Sequence, residues 1–306
     1  MAMLNPPRSL PGLARSLVNF LAASQKEWSE KELIATVKPE GLNDDKTAGD
    51  GISNTLAVLR AINMLSTGDD GAVSLAEGVR DVDPPLNVTK FRRLLHRHIF
   101  DAERDGDPWT RQRGDGDTSG ARDLVRALSW FLAQDALGEP LSWVEKVQPR
   151  QSSQFKTDDH TEWAIQNDTR WGAFSRWAPA LGFATPLFVR SRSCLVPLPV
   201  VAIEDALVDL PLDRLPVDDF LARLARRIPV IHGGAVRTSL VARLESDPDP
   251  GVTSEAVDSS VGQALRILEG RGRLLFERLP DAKGTLLSRF DEGRVTHVTV
   301  VLGAKK

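Results

Sequence analysis

Apolar residues recur at helical spacing along most of this chain, and at both ends the pattern switches to short strand-like runs. Leu13, Leu17, Phe20 and Leu21 predict a first helix over about residues 10–24. Ser29-Glu30-Lys31-Glu32 has the form of a capping box, in which serine and glutamate satisfy each other's free amides. It opens a short helix burying Leu33, Ile34 and Val37, which Pro39 and Gly41 end. Ile52, Leu56, Leu59 and Ile62 mark a third helix. Met64-Leu65-Ser66, the turn Gly68-Asp69-Asp70-Gly71 and Ala72-Val73-Ser74-Leu75 then predict a two-stranded hairpin. Helix, short helix, helix and hairpin is the order of a winged helix-turn-helix, assigned to residues 1–78.

Residues 79–190 read as a helical middle region. Asp81 to Pro85 is a linker, and Asn87 to Glu103 places Phe91, Leu94, Leu95 and Ile99 on one helical face. Residues 105–119 are polar and glycine-rich, the composition of a mobile loop. A helix over about 120–137 buries Leu124, Leu128 and Phe131. A polar stretch, 147–160, precedes a helix from Thr161 to Leu181 bearing Trp163, Trp171, Phe174 and Trp177. All seven tryptophans lie between Trp28 and Trp177, and the six from Trp109 onward read as an aromatic core.

Residues 191–306 form the third segment. After the apolar run Leu195 to Val201, helices are expected over about 201–210 and 217–227, the second opened by Pro216, Asp218 and Asp219. Gly233-Gly234 interrupts the chain before Ala235 to Leu244. A helix from Ser254 to Gly270 buries Val261, Leu265 and Leu268 and stops at Gly270-Arg271-Gly272. Arg273 to Leu279, Thr285 to Arg289 and Val295 to Val301 follow as strands. That repeats the winged-helix order. The expected fold is therefore α-rich α+β, with N-terminal and C-terminal winged-helix modules flanking a helical middle.

Composition narrows the function. The net charge of −3 and pI of about 6.0 exclude a dedicated nucleic-acid coat, so any DNA contact must be a local patch. The single cysteine, Cys194, cannot form an internal disulfide and reads as a buried small hydrophobe in a reducing compartment. The opening residues lack the charged and apolar regions of a signal peptide. No apolar run approaches the ~20 residues needed to cross a bilayer. A cytoplasmic protein without membrane contact is expected.

Charge also divides the two modules. Residues 1–78 hold seven Lys/Arg against ten Asp/Glu, a balance of 7 − 10 = −3. A helix near Asp44, Asp45 and Asp50, with Arg60 its one cation, repels phosphate and suits protein docking or dimerisation. The Asn87–Arg104 segment carries Lys90, Arg92, Arg93, His96 and Arg97. This stripe suits either a phosphate backbone or a solvated face balanced by Asp101, Glu103 and Asp105. In the C-terminal module, Ser259, Ser260, Gln263 and Arg266 fall on the presumptive recognition helix. Arg271, Arg273, Arg278 and Lys283 follow into the wing, partly offset by Glu255, Asp258, Glu269, Glu277 and Asp281. These positions, with Lys90, Arg93 and Arg97, are the candidate contacts to double-stranded DNA.

Catalytic signatures do not assemble. His96 and His98 point about 200° apart on a helix and cannot share a metal. Asp105, Asp107, Asp115 and Asp117 lack the spacing of a calcium loop. His232-Gly233-Gly234 resembles oxyanion-hole glycines, but no G-x-S-x-G elbow accompanies it. Gly270 and Gly272 lie between a helix and a strand, the reverse of a phosphate-cradling loop. The reading is a protein with no metal, no cofactor and no catalytic residues.

Two passages carry a family resemblance. Leu4-Asn5-Pro6-Pro7 through Leu10-Pro11 leads into the first module. Val261-Gly262-Gln263-Ala264-Leu265-Arg266, Leu274-Leu275-Phe276-Glu277, Asp281-Ala282 and Val295-Thr296-His297-Val298 mark the last. Together they resemble DpdG-like proteins, accessory components of the bacterial cluster that installs 7-deazaguanine derivatives in DNA and restricts foreign DNA. The resemblance implies a DNA-associated accessory role in a defence system and transfers no active-site residues. The combined reading is a non-catalytic adaptor of a modification–restriction system, touching DNA through its C-terminal module and partner subunits through its N-terminal one. Two alternatives stand beside it: a structural subunit that binds only protein, and a winged-helix transcriptional regulator.

Overall fold

The computed structural model describes residues 2–6, 8–24, 26–38, 46–101, 106–109, 120–189, 191–249, 256–291 and 293–301. In order these form α1 (Pro11–Ser24), β1 (Trp28–Ser29), α2 (Glu30–Val37), α3 (Lys46–Ala61), β2 (Leu65–Thr67), β3 (Ala72–Leu75), α4 (Glu77–Arg80) and α5 (Val88–Ile99). Next come α6 (Arg122–Leu132), α7 (Gln148–Gln154), α8 (Asp168–Ala180), β4 (Ala184–Val189) and β5 (Arg192–Pro197). The chain ends through α9 (Val200–Leu207), β6 (Leu215–Pro216), α10 (Val217–Arg227), α11 (Ala235–Val241), α12 (Ser259–Gly270), β7 (Leu274–Glu277) and β8 (His297–Val300). The protein is 48% helical with small antiparallel sheets, an α+β fold. Among the described residues no helix is long and apolar enough to cross a membrane.

Two compact units divide the chain: Met1–Leu124 with Asp168–Ala180, and Val125–Asn167 with Leu181–Lys306. In the first, Leu17, Val18 and Leu21 of α1 and Leu56 and Leu59 of α3 are buried. Their apolar positions fall three and four apart, so each helix presents one continuous stripe. Ser29 caps α2 by accepting the Glu32 amide, and the Glu32 carboxylate takes the Ser29 hydroxyl at 2.7 Å. The sheet runs β1-β3-β2, with Trp28 paired to Val73 and Leu65 to Leu75. Asp123 is buried and accepts the Met3 and Leu4 amides at 3.1 and 2.8 Å, which fixes the opening segment. Asn19 binds both backbone groups of Leu86, so α1 holds the start of α5.

The second unit contains a three-stranded sheet, β6-β8-β7, and a separate two-stranded ribbon, β4-β5. Its order repeats that of the first sheet: the last strand in sequence lies central, paired to both others. The helix ends match as well. After α3, Asn63 adopts φ 55 and the Met64 amide reaches the Leu59 carbonyl at 2.9 Å. After α12, Gly272 adopts φ 66 and the Arg273 amide reaches Leu268 at 2.9 Å. Both stops use a left-handed residue to satisfy the last carbonyls, then enter a strand directly. The expected strand at 72–75 is present, Arg273–Leu279 shortens to Leu274–Glu277 and Val295–Val301 to His297–Val300, but Thr285–Arg289 forms no strand, only isolated bridges at Thr285 and Leu286.

Several boundaries differ from the sequence pattern. The helix expected to run to Glu103 ends at Ile99, and the one expected from Thr161 begins at Asp168, after a single turn over His160–Glu162. The polar stretch 147–160 contains α7, whose Gln151 and Gln154 are buried. Gln151 exchanges two hydrogen bonds with Ile165, and Gln154 accepts from Trp130 Nε1 at 2.8 Å. A polarity pattern assigns glutamine to solvent, whereas here each amide has buried partners that replace water. Strand β4 lies at the end of the region expected to be helical, and its exposed positions are apolar, Phe188 at 82% exposure among them. Trp109, Trp171 and Trp177 are buried in the first unit and Trp130 and Trp163 in the second. The expected loop over 105–119 falls almost wholly outside the described residues, as do Asp44, Asp45, Glu103, Arg104 and Glu255.

Gly262 shows how tightly α12 is held. A Cβ there would lie 1.6 Å from the Leu287 carbonyl oxygen, a backbone atom that cannot yield locally. Gly262→Ala is expected to cost at least ~1–3 kcal/mol as overpacking. Gly270→Ala, in open space on the same helix, is expected to be neutral or stabilising. Urea unfolding midpoints check both, and equal midpoints would refute the packing argument.

Candidate functional site

The candidate contacts on α12 turn inward. Ser259 is buried, with its hydroxyl accepting the Ala136 amide at 2.8 Å and its own amide donating to Asp249 at 3.3 Å. Ser260 is fully buried and donates to the Leu132 carbonyl. Gln263 is half-buried. Arg266, with its side chain 22% exposed, pairs with Asp291 at 2.7 Å and Glu269 at 3.1 Å. Burial lowers its affinity for a proton, but these two carboxylates outweigh that effect and hold the guanidinium above its usual value.

Three of the four cations that follow α12 are paired too. Glu204 on α9 takes Arg273 at 2.8 Å and Arg271 at 3.6 Å. Lys283 reaches Asp218 at 2.8 Å, beside the Thr285 hydroxyl at 3.0 Å. Lys283 is 86% exposed, so this pair is worth little and exchanges readily. Arg278 is exposed and makes no ion pair among the described residues. In the structure Ser259 and Ser260 are held by partners within the protein, and Arg266, Arg271, Arg273 and Lys283 face carboxylates.

Behind the start of α12 lies a buried polar cluster. Arg237 donates to Asp258 at 2.9 Å, and His232 Nδ1 lies 3.2 Å from the same carboxylate. Burial pushes the Asp258 carboxyl up, but the His232 hydrogen bond and the Arg237 charge outweigh it, leaving it below the ordinary 3.8. Asp249 goes the other way, raised chiefly by burial, with Asp135 adding to the rise and Ser259 and Arg289 opposing it. The His232-Gly233-Gly234 run is part of this scaffold. Gly233 has φ 76, and a Cβ on Gly234 would lie 2.3 Å from the Pro229 carbonyl oxygen, which the Val236 and Arg237 amides also approach. The glycines thus serve a tight turn into α11. Among the described residues no three His, Cys, Asp or Glu side chains gather as metal ligands would.

In the first unit the α5 stripe is divided. Lys90 and Arg97 are exposed, two helical turns apart, and neither meets a carboxylate among the described residues. Arg93 is half-buried on the same side. His98 packs inward with Nδ1 3.1 Å from the Ile62 carbonyl, as its apolar-face position suggested. Arg60 is paired with Glu30 at 2.6 Å.

These features define a helix-rich α+β protein with a repeated helix-then-hairpin arrangement, one copy in each unit. The DpdG-like family model matches residues 1–282, and the chain belongs to that family. Membership suggests a component of the Dpd modification and defence cluster. No curated protein and no solved structure matches the chain.

The buried pair yields a test. Asp258→Asn leaves the Arg237 guanidinium buried without its counter-charge, a change worth about 3–5 kcal/mol. Because the folded carboxyl titrates below 3.8, its stabilisation is fully present above that pH and is lost as pH falls through the folded value. The stability gap between wild type and variant should therefore be constant near neutrality and close in acid. A gap that widens below pH 3.8 would refute the assignment.

Proposed function

We propose that this chain is a non-catalytic, protein-docking subunit of the Dpd modification and defence system, acting in the cytoplasm through two winged-helix modules. Support for the modules comes from the shared sheet order, β1-β3-β2 and β6-β8-β7, and from the matching helix-to-strand stops. The observation that carries the docking role is the state of α12. A winged helix that reads DNA offers its third helix to the major groove and its wing to the phosphates. Here the corresponding helix is enclosed, and Arg266, Arg271, Arg273 and Lys283 face Asp291, Glu269, Glu204 and Asp218. At the half-buried Arg266 and Arg273 a phosphate would have to displace a carboxylate and would gain little by doing so.

A second reading, contact with double-stranded DNA through α5, is favoured by the exposed and unpaired Lys90 and Arg97. Duplex titrations at several salt concentrations separate the two. If DNA binds through α5, Lys90→Ala/Arg97→Ala should reduce the magnitude of the log–log salt slope by about two units, at ~0.9 per phosphate contact. Arg266→Ala/Arg271→Ala/Arg273→Ala should leave the slope unchanged, and co-purification with other proteins of the cluster should survive it. A slope reduced by two or three units in the triple variant, with its fold intact by circular dichroism, would overturn the docking reading.

A further inference from the structure

We propose that a groove in the first unit, between the C-terminal half of α1 and strand β3, docks an acidic helix of a partner protein through that helix's apolar face. This rests on the docking reading and supplies its site and its partner chemistry. The groove has a volume of about 400 Å³, within the range of ligand and peptide pockets. Its floor is apolar, formed by Leu21, Leu75 and Val82, with Lys26, Arg80 and Glu27 at its rim. Two cations and one carboxylate leave the rim with a charge of 2 − 1 = +1.

The rim cations are placed but not neutralised. Lys26 Nζ sits 3.7 Å over the Trp28 ring, which is itself fixed by Ser24 at 3.0 Å and Phe20 at 5.1 Å. Arg80 donates to the Leu75 carbonyl at 2.8 Å and the Ser74 hydroxyl at 3.3 Å, so its plane is set by neutral partners. Neither makes a direct ion pair among the described residues, although the Lys26 charge also acts on the exposed Glu32 carboxylate. Preset cations of this kind lose little freedom on binding a carboxylate, and such bonds are stronger than neutral ones. An apolar floor beside them offers nothing to a phosphate backbone. It suits a helix with apolar anchors at i, i+3 and i+4 and acidic residues beside them.

The surrounding field makes the preference diagnostic. Residues 1–78 carry a net −3, so their long-range potential attracts basic ligands. Selection of acidic peptides must then come from the local cations and not from the bulk charge.

Displayed random peptides of ~12 residues, enough for about three helical turns, provide the probe when selected against the full chain. The enriched sequences should pair apolar residues at helical spacing with Asp or Glu. Synthetic versions measured by fluorescence anisotropy should bind at least tenfold more weakly to Ala22→Trp, which fills the groove, and to Lys26→Glu/Arg80→Glu. Charge-inverted peptides should recover binding to the second variant. Enriched peptides without acidic residues, or equal binding by both variants, would overturn the proposal. If Ala22→Trp melts earlier than wild type, the exposed double variant decides alone. Failure here leaves the salt-slope test of docking intact, whereas DNA binding through α12 would sink the docking reading and leave the groove standing.

Discussion

The enclosure of α12 is the constraint on which the second unit depends. Its first turn is bound at Leu132, Ala136 and Asp249, its middle passes Leu287 through Gly262, and its last turn enters β7 through Gly272. Each contact uses a group that a free recognition helix would keep for its ligand. The buried Asp258–Arg237 pair then fixes the helix start against α11, and its desolvation is tolerated only because both charges are matched. The first turn and the middle of α12 are thus packed within the second unit, while Gln263 and Arg266 stay partly exposed.

Charge pairing follows from the same arrangement. Carboxylates on α9, α10 and the segment before β8 meet Arg266, Arg273 and Lys283. The first unit is acidic overall, yet it leaves Arg80, Lys90 and Arg97 without acidic partners among the described residues. Net charge and available charge are different quantities.

This difference explains what the sequence disclosed and what it concealed. The α1 stripe, the Ser29 cap, the β2-β3 turn and the stop at Gly272 are local, set by residues within about one helical turn of each other, and they were legible. The fates of Ser259 and Ser260 were not, because their partners lie 123 and 128 residues away. Arg273 and Glu204 are 69 residues apart, and no periodicity announces such a pair. Gln151 and Gln154 fall in a stretch read only as polar, and polarity does not reveal that each amide has buried partners. The groove was hidden for a related reason: Leu21 and Leu75 look like ordinary core positions, and only the tertiary structure shows that they also floor a cleft.

The two modules share an element order but diverge in how each treats its third helix. In the second unit, the inserted α11 and the segments around Leu132 and Leu287 surround α12, which makes that module a scaffold. In the first, no helix separates α2 from α3 in the described residues, and the cleft opens elsewhere, beside α1 and β3. A shared topology therefore does not transfer a binding mode from one end of the chain to the other. What decides it is which polar groups remain unsatisfied once the module has packed.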